Sequence, residues 1–405
     1  MKLEKARKVL GFADIGAEEV ALGAASIGEG GEPHILGFAC VKSQGFSAER
    51  VPSGRELGVL LNLSAAKLEK DINARIEDVV FVVPSGAVSS HFSSAAVKLN
   101  PREEVSAREL ARVWKRAAAR VSGGGRALHA VALGYTLDGE AAANPLGARG
   151  RKLGAMCHLA RVSEEAHERI FVAAAHANLH PVELVAASYA AGLAALSERE
   201  KHEGAAVLDI GRFTTGIGIF YRGEFAASAY LPMGGEHITD ILARKIRSSR
   251  AEAERLKILY GAAAPEGIDF AEQIDILTLD ADGEEFQRTI LKSDILGAIR
   301  PVASLFFEAA REQIARADML RFANSIVLCG GGAALKGAAE LASSVFDVGA
   351  RIGVPRGVEG VPAAFSSARY AALLGSIIYH HRKSPAGASV PTGRGILGAI
   401  RKLWS

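Results

Sequence analysis

The sequence predicts an α/β chain folded as two similar lobes, and three observations lead there. At 405 residues the chain is longer than one core usually holds, so two or more units are expected. VLDIGRFTTGIGIF (Val207–Phe220) reads as strand, tight turn, strand, and GFADIGAEEVALGAA (Gly11–Ala25) has the same layout. Their Asp-Ile-Gly turns begin at Asp14 and Asp209, 195 residues apart (209 minus 14), which marks two related halves. Continuous β-branched runs such as DVVFVV (Asp78–Val83) are what strands buried on both faces require.

Taken in order, the first half predicts strands near 9–15, 19–27 and 34–40, then a helix near 53–73 with apolar spacing through Leu57, Leu60, Leu61, Leu68 and Ile72. A strand follows at 78–84. Residues 87–154 are of mixed character, with a helix at 106–121, and are expected to form a small domain inserted between two strands of one sheet. AMCHLARV (155–162) reads as a strand, EEAHERIFVAAAHAN as a helix and PVELVAASYAAGLAAL as a further helix. In the second half a hairpin at 205–229 is followed by PMGGEHITDILARKI, a Gly-Gly turn feeding a helix. Residues 250–323 read as mostly helical and charged. SIVLCGGGAALKGAAELASSVF (325–346) reads as a buried strand, three glycines and a helix; from Ser384 the composition is that of a linker.

Composition excludes some classes. The net charge of +3 gives no global field for nucleic acid. Three cysteines, Cys40, Cys157 and Cys329, stand far apart, which fits neither a disulfide framework nor a metal cluster and suits a reducing compartment. The apolar run before Asp14 is too short for a signal peptide, and no run suits a transmembrane helix.

Glycines and hydroxyls at strand–turn junctions let backbone N–H groups approach an anion closely. Four such places occur in order: Asp14 and Gly16; Asp209, Gly211, Arg212, Thr214 and Thr215; Gly234 and Gly235; Gly330, Gly331 and Gly332. This order resembles the actin/Hsp70/sugar-kinase ATPase superfamily. The resemblance implies a two-lobed fold in which two hairpins clamp the phosphates of ATP. Each hairpin aspartate, Asp14 and Asp209, would hold waters of a Mg²⁺, a cation that keeps much of its hydration shell.

LPMGGEHITDILA (Leu231–Ala243), EAERLKILYG (Glu252–Gly261), NPLG (Asn144–Gly147) and RIGVP (Arg351–Pro355) narrow the resemblance to FtsA, the actin-like bacterial cell-division family. It implies an inserted 1C subdomain, and it matches Glu254 and Lys257 to residues beside the ribose and adenine. The expected partition is 1–86 with 155–203 as lobe 1 (1A), 87–154 as 1C, 204–244 with 324–383 as the lobe 2 core (2A), and 245–323 as 2B. Residues 384–392 would be the linker and 393–405 a membrane-targeting helix. Implied partners are the C-terminal peptide of FtsZ, further copies in a filament, and other division proteins through 1C. Arg300 is a candidate for the peptide surface, and the division site on the cytoplasmic face of the inner membrane is the expected location.

The last residues support an anchor independently. At about 100° per residue, Ile396, Leu397, Ile400, Leu403 and Trp404 fall within an arc of about 120°, while Arg394, Arg401 and Lys402 lie outside it. From Arg382 to Ser405 there are five Lys or Arg and no Asp or Glu, the character of a helix lying on an anionic bilayer surface.

Two departures from the family pattern bear on catalysis. The first hairpin carries Ala17, Glu18 and Glu19 where the family has a hydroxyl and a lysine, and the second carries Arg212 and Phe213 where it has glycines. Two like charges at about 4 Å and an effective dielectric near 20 repel by roughly 4 kcal/mol, so ATP binding with weak or absent hydrolysis is expected. No catalytic base stands out, which disfavours a sugar-kinase-like enzyme. An Hsp70-like ATPase would need a substrate domain after the ATPase, and a pilus-assembly actin-like protein would not be expected to carry the basic amphipathic tail.

Overall fold

Val9–Ile15, buried at five of seven positions, forms β1 at the middle of a sheet. The computed structural model describes residues 9–28, 32–43, 52–121, 124–265, 269–280 and 282–383. β2 (Glu19–Ile27) and β3 (Pro33–Lys42) continue from β1 as an antiparallel meander. α1 (Gly54–Ile72) opens on a capping box, Ser53 and Glu56 satisfying each other's backbone N–H, and ends on Asn73 in the left-handed region at φ 51°. β4 (Asp78–Val83) pairs parallel to β1.

The chain then leaves the sheet for the insert: β5 (Val88–Lys98), α2 (Ala107–Ala118), β6 (Arg126–Leu137), β7 (Glu140–Ala142) and β8 (Lys152–Val162). Its sheet order is β5-β8-β6-β7, with Trp114 of α2 packed on Ala95, Cys157 and Leu159. The expected boundary at 154/155 therefore falls inside a strand. Residues 155–162 belong to the insert, because β8 lies between β5 and β6 and provides the central pairing.

α3 (Glu164–His176) returns to lobe 1, and β9 (His180–Ala186) completes the order β3-β2-β1-β4-β9. Here the structure corrects the reading of 181–196 as one helix. Residues 180–186 pair parallel with β4, and only α4 (Ala187–Ala195) is helical. Ladder pairing with an already buried strand overrides the helical look of an alanine-rich run.

Lobe 2 repeats the plan. After α5 (Glu198–Glu203) come β10 (Ala205–Ile210), β11 (Thr215–Tyr221) and β12 (Glu224–Leu231), then α6 (Gly235–Ile246) and α7 (Arg250–Tyr260). β13 (Gln273–Leu279) and β14 (Glu285–Leu291) form a hairpin inside the stretch expected to be mostly helical. Ile274, Ile276 and Thr278 alternate inward with period two, which suits a half-buried strand. α8 (Lys292–Arg316) carries Pro301 in its interior; the carbonyl its ring would crowd belongs to Gly297, which lacks a side chain. β15 (Ile326–Cys329), α9 (Ala338–Phe346) and β16 (Ala350–Ile352) complete the order β12-β11-β10-β15-β16. In both lobes the first three strands are antiparallel and the next two parallel, so the inferred duplication is one of topology as well as motif.

α10 (Ala371–Lys383), expected in lobe 2, packs instead on α4, β1 and β4. Its Leu373, Leu374 and Ile377 join the lobe 1 core. The crossing with α4 is close because Gly375 faces Ala190, and a Cβ on Gly375 would sit 1.8 Å from the Ala190 carbonyl oxygen. α4 also contacts β10 and β11, so this small-residue helix pair lies where the two sheets meet. Among the described residues no helix is long and apolar enough to cross a membrane.

Candidate functional site

β1 and β10 end in equivalent places, and both ends open into one cleft of about 1040 Å³ between the lobes. All the candidate nucleotide residues except Thr215 line it: Asp14 and Gly16 from the first hairpin, Asp209, Gly211, Arg212 and Thr214 from the second, the two glycine turns, and Glu254 with Lys257. Thr215 is buried and donates its hydroxyl to the Met233 carbonyl at 2.8 Å. It fastens the hairpin to the turn between β12 and α6 rather than facing an anion.

The aspartates face each other across the floor. Burial, then the charges of Asp209 and Glu19, pushes the Asp14 carboxyl up to about 7. Burial pushes Asp209 up to about 6. Two carboxylates that resist ionisation in one cleft suit a cation. Among the described residues no three His, Cys, Asp or Glu converge as a metal cage, so the donor set fits a cation held through its own waters rather than a stripped one.

The glycines are required by space. Gly330 has φ +77°, and a Cβ there would stand 2.5 Å from the Ile210 carbonyl oxygen and 2.8 Å from the Asp209 carboxylate. A Cβ on Gly16 would meet the Glu19 carbonyl at 2.6 Å, and one on Gly234 the Gly211 carbonyl at 2.5 Å. Gly331 has room for a Cβ, which would rest in ordinary contact with the Arg369 guanidinium at 3.9 Å. The three glycines do not open a helix as expected: residues 331–334 form a 3₁₀ turn, and α9 starts only at Ala338. Nor are the first amides of α6 free for a ligand. Gly235 N–H donates to the Gly211 carbonyl at 3.0 Å and Glu236 N–H to the Arg212 carbonyl at 2.8 Å, so α6 locks the tip of the second hairpin. The buried Ser85 hydroxyl, just after β4, also lines the cleft and has no hydrogen-bond partner among the described residues.

Glu254 and Lys257 form both an i,i+3 pair and part of the cleft wall. The Lys257 amine donates to Glu254 at 2.7 Å, to the Gly235 carbonyl at 3.0 Å and to Thr239 at 2.8 Å. Next along α7, Ile258 and Leu259 line the cleft with exposed apolar side chains.

The altered hairpin tips resolve into ion pairs. Arg212 reaches Glu18 across the cleft at 3.0 Å and Glu236 at 2.7 Å, with its guanidinium over the Phe213 ring at 5.1 Å. The hydrogen bond to Glu236 raises the Arg212 pKa further. Burial opposes ionisation of Glu236, but hydrogen bonds from Arg212 and Arg250 outweigh it and hold that carboxyl below the usual range. Glu19 takes a hydrogen bond from Arg369 at 2.9 Å. The repulsion expected from Glu18 and Glu19 is thus cancelled by two guanidiniums. Sequence reasoning gave no hint of Arg369, 350 residues from Glu19, nor of Ser85; neither belongs to a local motif.

Arg300, Arg244, Lys245 and Arg247 are all exposed. The amphipathic segment, with Arg394, Ile396, Leu397, Ile400, Arg401, Lys402, Leu403 and Trp404, lies outside the described residues.

Comparison with known proteins agrees with this architecture. A family model described as "Cell division protein FtsA" matches residues 206–375, and one described as "SHS2 domain inserted in FTSA" matches 85–160. The second match ends within β8, as the strand pairing requires. The FtsA of Agrobacterium fabrum is 29% identical over 348 residues, 85% of this chain and 78% of that one. Those of Pseudomonas aeruginosa and Escherichia coli K12 are 25% and 24% identical, over 96% and 92% of this chain and 93% and 90% of theirs. Among solved structures, the PilM-PilN type IV pilus biogenesis complex matches 93% of this chain and 99% of its own at a TM-score of 0.61 and 19% identity. MreB5 of Spiroplasma citri bound to ADP matches 93% and 96% at 0.56 and 15%. These two likenesses establish the actin-like fold and nothing further.

Proposed function

Since the chain belongs to the FtsA family of cell division proteins, we propose that it is a division scaffold that binds Mg-ATP between its lobes, self-associates, and tethers FtsZ to the membrane. The observation that carries the nucleotide reading is the convergence of Asp14, Asp209 and the glycine turns on one cleft. In this reading the cation sits through its waters between Asp14 and Asp209, phosphates lie along the hairpin tips, and Glu254 and Lys257 meet the ribose and base beside Ile258. Turnover is weak or absent, because Arg212 and Phe213 stand where the family has glycines and no base stands out.

The other elements take the roles the family resemblance implies. Exposed Arg300, with Arg244, Lys245 and Arg247, offers basic charge to the FtsZ C-terminal peptide; the insert serves as 1C and meets other division proteins. The segment 393–405 anchors the chain to anionic lipid at the cytoplasmic face of the inner membrane. Burial of its apolar face is partial and each basic residue adds about 1 kcal/mol near an anionic surface, so attachment is weak per subunit. It strengthens by factors of about 10²–10⁴ when subunits are joined.

Calorimetry with Mg-ATP is expected to show binding that Asp209→Ala weakens, and turnover near 10 per second would contradict the scaffold. Co-sedimentation with anionic liposomes is expected for the full chain and lost in Trp404→Glu. Equal sedimentation of both would show that the tail is not the anchor.

A further inference from the structure

Two neighbouring carboxylates of lobe 1 each grip a guanidinium, one on the lobe 2 hairpin and one on the turn where the chain passes from lobe 2 back to lobe 1. Glu18 takes Arg212, on the tip of the second hairpin, at 3.0 Å. Glu19 takes Arg369 at 2.9 Å, and Arg369 stands beside the glycine turn at Gly331. The segment carrying Arg369 is tied to that turn by the Gly330 N–H, which donates to the Ala368 carbonyl at 2.9 Å. All four side chains line the cleft.

Arg212 is placed by lobe 2; Arg369 stands where the chain crosses back, between Ala368 in the lobe 2 core and Tyr370 in the lobe 1 core. Arg212 is anchored by Glu236, which is buried and further neutralised by Arg250; Phe213 lies under its guanidinium. Arg369 lies over the ring of Tyr370 at 5.9 Å. Two guanidiniums held in this way form a cradle for an anion with several oxygens, and a planar guanidinium pairs equally well with carboxylate or phosphate. Glu18 and Glu19 present two such anions from the chain itself.

We infer that Glu18 and Glu19 act as internal anions that latch the lobes through Arg212 and Arg369, so that lobe closure needs no nucleotide and a phosphate group must compete with them for the same arginines. The inference relies on the nucleotide reading only for the identity of that competing anion. Each pair is partly exposed and weak alone, but the pairs act together on one hinge. Loss of both is expected to shift the balance of open and closed lobes by about tenfold.

The test measures the distance between the lobes in the full chain by pulsed electron resonance. Genetically encoded spin labels go at Glu168 on α3 and Gln287 on β14, both exposed. The wild type is expected to give the same narrow distribution with and without Mg-ADP, and Glu18→Gln with Glu19→Gln a longer and broader one. The charge exchange Glu19→Arg with Arg369→Glu, with Glu18 intact, is expected to restore the narrow distribution, which a merely misfolded hairpin would not allow. A wild type that is broad until Mg-ADP is added, a double glutamine variant that stays narrow, or an exchange variant that stays broad would each overturn the latch. Calorimetry with Mg-ADP and with pyrophosphate runs alongside, and the glutamine variant is expected to bind about tenfold tighter than wild type if phosphate competes for the arginines. Heat in neither protein would overturn phosphate competition and the nucleotide reading together, while the distances decide the latch on their own.

Discussion

Replacing Asp14 by Asn is expected to stabilise the protein while removing the cation contact proposed for it. In the folded chain the Asp14 carboxyl is pushed up to about 7 by burial, then by the Asp209 and Glu19 charges. In the unfolded chain it titrates near 3.9. Between those values the folded state holds a proton that the unfolded state has released, so raising the pH favours unfolding. The wild type therefore carries an Asp14 penalty that is absent below about pH 4, grows through the interval and is complete above 7. A lift of about three units corresponds to about 4 kcal/mol at 1.36 kcal/mol per unit. That is a ceiling, because the side chain is partly open to the cleft and the opposing carboxylates can relax. About 2 kcal/mol is a fair expectation for Asp14→Asn at pH 8.

The assay is urea unfolding of wild type and variant at pH 4.5 and pH 8, with chelator and without nucleotide. The variant's advantage should be large at pH 8 and nearly gone at pH 4.5, where wild-type Asp14 is protonated in the folded state. Added Mg²⁺ with ADP should close the gap from the other side, stabilising wild type alone. A variant no more stable than wild type at pH 8, or equally favoured at both pH values, would refute the assignment of Asp14 as a carboxylate held at a cost.

Three further outcomes follow from the same geometry. Gly330→Ala places a Cβ 2.5 Å from the Ile210 carbonyl at φ +77° and should cost about 1–3 kcal/mol, read as a lower melting temperature. Lys257→Ala frees the Gly235 carbonyl and Thr239 from their shared donor and should weaken Mg-ATP binding in calorimetry with little loss of stability. His158 of the insert meets the Phe225 carbonyl of lobe 2 at 3.0 Å and Ser90 at 2.8 Å, and burial pushes its pKa down to about 4. Its contribution is therefore full above 6.5 and is lost as the pH falls towards 4, a sensitivity that His158→Gln should blunt in acid melting curves.

The frame of the fold was legible because its signals are local. Asp-Ile-Gly between apolar runs marks a hairpin, and the Ser53–Glu56 box starts a helix where the apolar spacing begins. What escaped depends on partners distant in sequence. Residues 180–186 are a strand because β4 is there to pair with, and 155–162 belong to the insert because β5 and β6 flank them. α10 joins lobe 1 because Gly375 lets it meet Ala190. The β13–β14 hairpin did have a local signal, the period-two alternation of Ile274, Ile276 and Thr278, masked by the charged residues between them. At the site, glycines and aspartates were readable as types, but the hydroxyl of Thr215 and the amides of α6 turned out to be engaged elsewhere. A motif names donors; only the surrounding carbonyls decide whether those donors are free.

The cleft thus contains two kinds of residue whose energetics point in opposite directions. Asp14 and Asp209 weaken the folded state at neutral pH and have no ion-pair partner among the described residues; a cation between them is the simplest compensation. Glu18, Glu19, Arg212 and Arg369 offset one another and join the lobes. If the cleft were only a hinge, the second set would suffice, and two raised carboxylates on its floor would be a cost without a return. If it were a rapid hydrolase, the tips would need open backbone where Phe213 and the α6 capping bonds stand. The proposed site for a hydrated cation and phosphates, within lobes latched by their own charges, is the reading that accommodates both sets of residues.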